Sequence, residues 1–434
     1  MNRDRARVLR PNRQQLELRA SDLESLLAES HRARLVWAYV ERQDLQRFYE
    51  GIRAVAGGVG RSAIAPEILL ALWLYATLDG VGSAREIARL TQAHDAYRWL
   101  CGGVQVNYHT LSEFRQAHGA ALDELLSANV AGLMAAGVVK LRRVAQDGMR
   151  VRASAGAGSF RRQEKLEGYL EAARAEVARL RAAGESDPAG AERARAAARR
   201  RAAAEREARL EKALARLPEI EAIKTRNGQP AEQARVSTTD AEATVMKMGD
   251  GGFRPAYNAQ LASDAESLVI VGVEVATVGS DQGQMASMLE QVTQRCGGQA
   301  PAAWLVDGGY VAHDQIEQAS ETTTVYGPVP KPRDPGIDPH APKAGDSEAV
   351  AQWRSRMGTE EAKAIYRQRA ATAECVNAQS RNRGLTQFLV RGSDKVTCVM
   401  LFFALAHNLM RSAALAPHLL GIGTGISAIP GMAG

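Results

Sequence analysis

The 434-residue chain is 45% hydrophobic and 24% charged, with a formal net charge of +6 and a sequence pI near 9.2. Such a length exceeds one ordinary compact domain and such an apolar fraction fills a real core, which excludes a disordered chain, while the basic balance favours a polyanionic partner such as nucleic acid. Cys101, Cys296, Cys375 and Cys398 are scattered and form no Cys-x-x-Cys pair, which argues against a disulfide framework or a zinc ribbon and fits a reducing cytosol.

The opening "MNRDRARVLRPNRQQ" is basic but leads into no apolar run, so it is not expected to act as a secretory signal. Residues 20–135 read as helices. Pro66 starts "PEILLALWLYATLDG", apolar on nearly every face, which predicts a helix buried in the middle of its domain and closed by Gly80. Ser83 precedes Glu86 by three and Thr110 precedes Glu113 by three, so both are expected to open short helices as capping boxes. Short helices with tight turns suit either a helix-turn-helix reader of DNA or a plain helical bundle.

Residues 161–226 change character. Leu166, Leu170, Ala173, Val177 and Leu180 form an apolar seam, repeated after "GESDPAG" (184–190) by Ala203, Leu210, Leu214 and Leu217, which predicts an antiparallel helical hairpin. It holds 17 Lys/Arg against 12 Asp/Glu, a net +5 of the chain's +6. Two readings stand side by side: a solvated helical surface, or an arm lying along a phosphate backbone.

From Arg254 the period changes to two. "YNAQLAS" (257–263) and "LVIVGVEVAT" (268–277) predict a hairpin, "SDQGQMASMLEQVTQRCGG" (280–298) a helix, "AAWLV" (302–306) a short buried strand and "TTVYGPV" (323–329) another. A long helical stretch over 349–382, interrupted near Gly358, precedes the apolar "VTCVMLFFALAHNLM" (396–410), which is shorter than a membrane span and suits a buried helix. The Gly- and Pro-broken tail is expected to be loosely packed.

Three acids stand out. Asp147-Gly148 and Asp307-Gly308 are each compatible with a simple hairpin turn. Yet "MRVRASAGAG" after Asp147 does not return as a paired strand, and Asp307 closes a strand that precedes a helical segment; strand ends are where α/β proteins place functional groups. The third, Glu374, lies in "AIYRQRAATAECVNAQSRNRG", among Arg and Gln. Other acids have plainer expectations: Asp240 caps a turn, Asp264 sits in the hairpin loop and Asp281 belongs to a helix N-cap region. His94, His109 and His118 lack metal-ligand spacing and are expected to be structural or DNA-facing.

The order strand-Asp, strand-Asp, helix-Glu, with Tyr366, Arg369 and Arg381 around the last acid, resembles the DDE transposases of bacterial insertion sequences. More narrowly it is similar to the subgroup with a Tyr-Arg-Glu-Lys signature and a helical N-terminal domain. The likeness also runs through "RWLCGG", "YHTLSEFRQAH", "AQDGMRVRAS", "RVSTTDAEATVMKMGDGGFRPAYNAQLASD", "LVDGGY" and "LFFALAHNLMR". The resemblance implies an α/β protein with an RNase H-like mixed-sheet catalytic core over 136–160 and 227–411. An all-helical DNA-binding domain would cover 1–135, the basic hairpin 161–226 would be an insertion, and 412–434 a flexible tail.

It further implies that Asp147, Asp307 and Glu374 are the catalytic acids and ligands of Mg²⁺, with Mn²⁺ as a substitute. Tyr366, Arg369 and Arg381 would contact DNA near the cut. The implied partners are double-stranded DNA, both terminal inverted repeats and target, and a second copy of the chain holding the two element ends, in the cytoplasm at the nucleoid. Two rival readings accompany it: an inactive descendant that only binds DNA, and a metal-dependent nuclease without strand transfer. The chain departs from the usual signature in two ways. One extra residue sets Arg369 five positions from Glu374, on a different face of an ideal helix, and Arg381 stands where Lys is usual, which keeps a phosphate-binding charge but alters its geometry.

Overall fold

The computed structural model describes Gln14 and residues 22–54, 62–183, 191–226 and 228–421. The basic N-terminal segment, the 184–190 turn and the last thirteen residues of the tail therefore lie outside the described residues.

Among the described residues seven α-helices come first: α1 (Arg32–Val40), α2 (Gln46–Tyr49), α3 (Pro66–Leu78), α4 (Ala84–Ala93), α5 (Asp95–Cys101), α6 (Tyr108–Ala117) and α7 (Gly119–Ala135). Helix α3 is buried on nearly every face, as its unbroken apolar run requires, with Pro66 in its first turn. Ser83 caps α4 by accepting from Glu86 N. Thr110 does not open α6: Asn107 is its N-cap and accepts from Thr110 N at 3.0 Å, because an Asn three residues before the expected cap offers a better-placed acceptor. His94 caps α5, and His118 packs against Phe48 and Phe114, so both serve the helical framework.

A six-stranded mixed sheet follows. Its long members are β1 (Val144–Arg152) and, after the two-residue β2 (Phe160–Arg161), β3 (Val236–Ser237) and the short β4 (Thr244–Lys247), the strand β5 (Phe253–Asp264) with its hairpin partner β6 (Ile270–Ala276). Strand β5 lies antiparallel to β1 with Asp147 opposite Leu261, and β4 and β6 pair with it in turn. On the other edge of β1 come β7 (Ala303–Leu305) and β8 (Thr324–Tyr326), both parallel to it. Three long antiparallel strands with the short β4 beside them, extended by two parallel ones and with helices on both faces, are compatible with an RNase H-like core.

The insertion is the expected antiparallel pair, α8 (Gln163–Ala182) and α9 (Ala191–Arg226). Leu166, Leu170 and Ala173 meet Leu210, Ala213 and Leu217 in a small core of their own, and the β2–β3 ladder closes its base. Lys212 at its root forms an ion pair with Glu242, which also accepts from Ser393 at the start of the last helix.

Beyond the sheet come α10 (Met285–Arg295), α11 (His313–Ser320), α12 (Glu348–Met357), α13 (Glu360–Tyr366), α14 (Gln368–Asn382) and α15 (Ser393–Leu415). The long stretch breaks at Gly358, as expected, and again at Arg367. Helix α15 is long and apolar enough to cross a membrane by length and composition, but most of it is buried against α3, α6, α7 and β6. The tail is better packed than expected through residue 421: α15 continues to Leu415, and the turn at Pro417–Leu420 buries Leu420 beside α1. One hydrophobic core runs from the N-terminal helices through the sheet to α15.

Candidate active site

Side chains alternate across a strand, so Ala145 and Asp147 of β1 face one side of the sheet while Gln146, Gly148 and Arg150 face the other. Helix α14 covers the first side. Its Ala373 packs with Ala145, Ala303 and Leu305, and this dry contact fixes which face of the helix meets the strands. Arg369 and Asn377 lie four residues before and after Ala373, on the same stripe. Both reach Asp147: Arg369 Nη2 donates to Oδ1 at 3.0 Å and Asn377 Nδ2 to Oδ2 at 2.8 Å.

Asp307 follows β7, the strand that pairs with β1, and so arrives at the same place. Arg369 Nη2 also donates to Asp307 Oδ2 at 3.5 Å, while Asp307 Oδ1 accepts from Gly309 N at 2.7 Å. One guanidinium therefore sits between two carboxylates. Arg369 and Asp147 keep only 14% and 17% of their side-chain surface, so water screens the pair weakly. Burial pushes the Asp147 carboxyl above its ordinary range; Arg369 opposes this, and the negative Asp307 and Asp281 add to it. Tyr366 lies beside the same guanidinium: burial raises its phenol, against the pull of Arg369.

Glu374 is placed differently. It is exposed, one position and about 100° round α14 from Ala373. Arg381, seven residues on, falls within about 20° of Glu374 on the helix wheel and is exposed as well. The structure thus brings together Asp147, Asp307 and Arg369 with Tyr366 beside them, and sets Glu374 and Arg381 on the adjacent open flank. Among the described residues no three His, Cys, Asp or Glu side chains gather closely enough to hold a metal ion.

The two aspartates themselves fit a hard divalent cation. They already accommodate a positive charge between them, they offer carboxylate oxygens, and Asn377 Oδ1 is buried beside them without a partner among the described residues. Glu374 would have to join from the flank.

The opposite face of β1 carries a polar network. Asp281 Oδ1 accepts from Asn258 Nδ2 at 2.7 Å and Gln260 Nε2 at 2.8 Å, and its Oδ2 from Arg150 Nη2 at 2.9 Å. Tyr310 and Gln146 bond to Gln260 in turn, and Trp304 Nε1 donates to Gln146 at 3.1 Å. Gly148 lies over this network, and a Cβ there would collide with Asp281, Gln260 and Asn258. Asp281 is thus not a helix cap: α10 starts after Gln284 with no side-chain cap, and Asp281 turns back to the sheet, where three donors await it. Asp240 accepts from Tyr257 Oη at 2.8 Å and from Gly392 N at 3.2 Å, and Asp264 closes its hairpin through Ser267, so neither joins the two aspartates.

Sequence reasoning missed Asn377, Gly148 and the Asp281 network. The signals were present: Asn258 and Gln260 are polar at alternate positions of the otherwise apolar run 255–262, and Asn377 is eight residues from Arg369, on the same helical stripe.

Two family models match the chain. Residues 341–413, from just before α12 nearly to the end of α15, match a Transposase DDE domain, and residues 21–117, the first six helices, match a Transposase domain (DUF772). No curated protein and no solved structure matches the chain. Both models are transposase domains, one over the N-terminal helices and one over the helix that carries Arg369 and Glu374, and together they support an insertion-sequence DDE transposase.

Proposed function

We infer that the chain is a DNA transposase that binds the terminal inverted repeats of its element, cuts DNA at their ends and joins the freed 3′-hydroxyls to target DNA. The observation that carries this reading is the meeting of Asp147, on β1, and Asp307, just after the neighbouring β7, around the single guanidinium of Arg369. Asp147, Asp307 and Glu374 are the proposed acids and the proposed ligands of Mg²⁺, or of Mn²⁺ in its place. Two divalent ions, when bound, would polarise the attacking oxygen and stabilise the departing one.

The chain's own residues have distinct tasks in this reading. Asn377 orients the Asp147 carboxylate. Arg369 holds the two aspartates apart in charge until DNA arrives, then serves a phosphate beside Tyr366. Arg381, on the open flank with Glu374, meets the backbone further along. Residues 136–160 and 227–411 form an RNase H-like catalytic core on this account, 1–135 read the element ends, and the hairpin 161–226 lies along DNA. A dimer on DNA, in the cytoplasm at the nucleoid, would hold both ends.

A second reading has one observation in its favour: with Glu374 exposed and apart from the two aspartates, the chain would bind DNA without cutting it. The experiment that tests the first reading incubates the protein with Mg²⁺, a labelled duplex ending in a 3′-hydroxyl at the element end, and plasmid target. Joined product supports transposition; cleavage without joining leaves a nuclease; binding without either supports the inactive reading.

A further inference from the structure

A cavity of about 290 Å³ lies where the N-terminal helices meet the core, at the small end of the size range of ligand pockets, about 300 Å³ upward. Its walls come from α3, the turn at 80–82, α6, the segment 383–389 after α14, and α15. Segment 383–389 runs beside the end of β1, with Phe388 N donating to Arg152 O at 2.8 Å. Arg152 is five residues from Asp147, about 16 Å along the strand. The cavity is therefore separate from the acid site.

Its lining is unusual in charge. Among the described residues Arg115 and Arg383 both line it, and no carboxylate does. Arg115 is 6% exposed; its Nη1 donates to Gly82 O at 2.6 Å and its guanidinium lies 4.5 Å over the Trp73 ring, while its Nε is buried without a partner. Neither contact neutralises it, and burial pulls its pKa down to about 10. Arg383 reaches His407 Nδ1 at 3.5 Å, and His407, held near 3 by burial and with Nε2 on Leu268 O, is a neutral acceptor. Burial, and then the neighbouring Arg32, also lower the Arg383 pKa. The nearest acid in sequence, Asp79, is engaged by the Tyr97 hydroxyl at 3.1 Å.

Two largely buried guanidiniums with no anion are costly to maintain, and an anionic ligand would offset that cost. Two planar forks present more donors than one carboxylate can accept, which favours phosphate with its additional oxygens. Trp73, Phe388, Phe402 and Phe403 are among the remaining lining residues, beside aliphatic and neutral polar ones, and aromatic side chains suit a planar ring. We propose that this cavity binds a nucleoside 5′-phosphate, its phosphate between Arg115 and Arg383 and its base among the aromatic side chains. Leu389, 54% exposed, lies at the mouth. The same chemistry is offered by a free nucleotide and by the 5′-phosphorylated end of a DNA strand.

The test uses the full chain in EDTA, so that cleavage plays no part and the fate of the transposase reading does not enter. Calorimetric titration with 5′-dAMP is expected to saturate, with deoxyadenosine binding at least tenfold more weakly. Arg383→Gln should weaken 5′-dAMP at least tenfold. Leu389→Trp, a surface substitution that leaves the core intact, should do the same by narrowing the mouth. Competition by a 5′-phosphorylated but not a 5′-hydroxyl oligonucleotide assigns the site to DNA ends; no competition by either assigns it to free nucleotide. Absent saturation, equal binding of 5′-dAMP and deoxyadenosine, or 5′-dAMP binding unchanged by both substitutions would overturn the proposal.

Discussion

Arg369 Nη2 donates to Asp147 Oδ1 at 3.0 Å, and the two side chains lie mostly out of water between β1 and α14. On the proposed function the guanidinium stands where a divalent ion would bind, so it and Mg²⁺ would compete for the same carboxylates. Arg369→Gln removes the internal cation and leaves Asp147 and Asp307 facing each other. Its melting temperature should fall in EDTA, by an amount corresponding to roughly 1–3 kcal/mol, the cost of orphaning a buried polar group. Millimolar Mg²⁺ should restore most of that loss while changing the wild-type melting temperature little. Equal responses to Mg²⁺ in the two proteins would contradict the competition.

Asp147 carries a pH dependence of known sign. Its folded pKa is raised, so the folded state holds the proton more tightly than the unfolded chain. The stability it contributes is present below the unfolded value of about 3.8 and is lost as pH rises through the folded pKa. Asp147→Asn avoids that loss. Relative to wild type in EDTA, the variant should therefore gain melting temperature as pH increases above about 4, a trend that thermal melts across pH 3–8 would read directly.

Gly148 allows the Asp281 network to close beneath the first acid. Gly148→Ala pushes a methyl group into Asp281, Gln260 and Asn258, and overpacking of this kind costs roughly 1–3 kcal/mol. Chemical denaturation should show that loss, and cleavage should fall with it because β1 carries Asp147 one residue away.

Glu242 joins the hairpin root to the start of α15. Burial pushes its carboxyl up, but Lys212 and Ser393 outweigh it and hold the pKa down to about 2. A depressed folded pKa means stability that is present above the unfolded value of 4.5 and lost as pH falls toward 2. Glu242→Gln should accordingly melt several degrees below wild type at pH 7, with the gap closing as pH drops through that window.

The hairpin predicts a salt effect. Its proximal charges are paired, as in Arg174 with Glu211 at 2.8 Å and Arg216 with Glu219 at 2.8 Å, whereas Arg199, Arg200 and Arg201 are exposed toward its far end. Deleting 161–226 should flatten the dependence of DNA affinity on salt, since fewer phosphates are neutralised; an unchanged slope would remove the arm from the account.

Much of this architecture was legible in the sequence because single strong signals fixed it. The buried α3 followed from an apolar run, the β5–β6 hairpin from alternation, and the inserted hairpin from its leucine seam. The meeting of Asp147 and Asp307 depends on β1 pairing with β7 across more than 150 residues, which no local pattern encodes. The same holds for Asp281, read locally as part of a helix start but claimed by Asn258, Gln260 and Arg150 on strands distant in sequence. Arg369 was separable from Glu374 by helix geometry alone; that its face is the one turned inward was set by Ala373 packing on Ala145 and Leu305.

The most direct measurement of the central claim is single-turnover nicking of a duplex carrying the DNA that flanks the coding sequence, with Mg²⁺ against EDTA. It would compare wild type with Asp147→Asn, Asp307→Asn and Glu374→Gln at equal DNA occupancy. The account predicts Mg²⁺-dependent nicking by wild type and a loss of at least a hundredfold in each variant with DNA binding retained. Undiminished nicking in the aspartate variants, or tight DNA binding by wild type with no nicking at all, would contradict it.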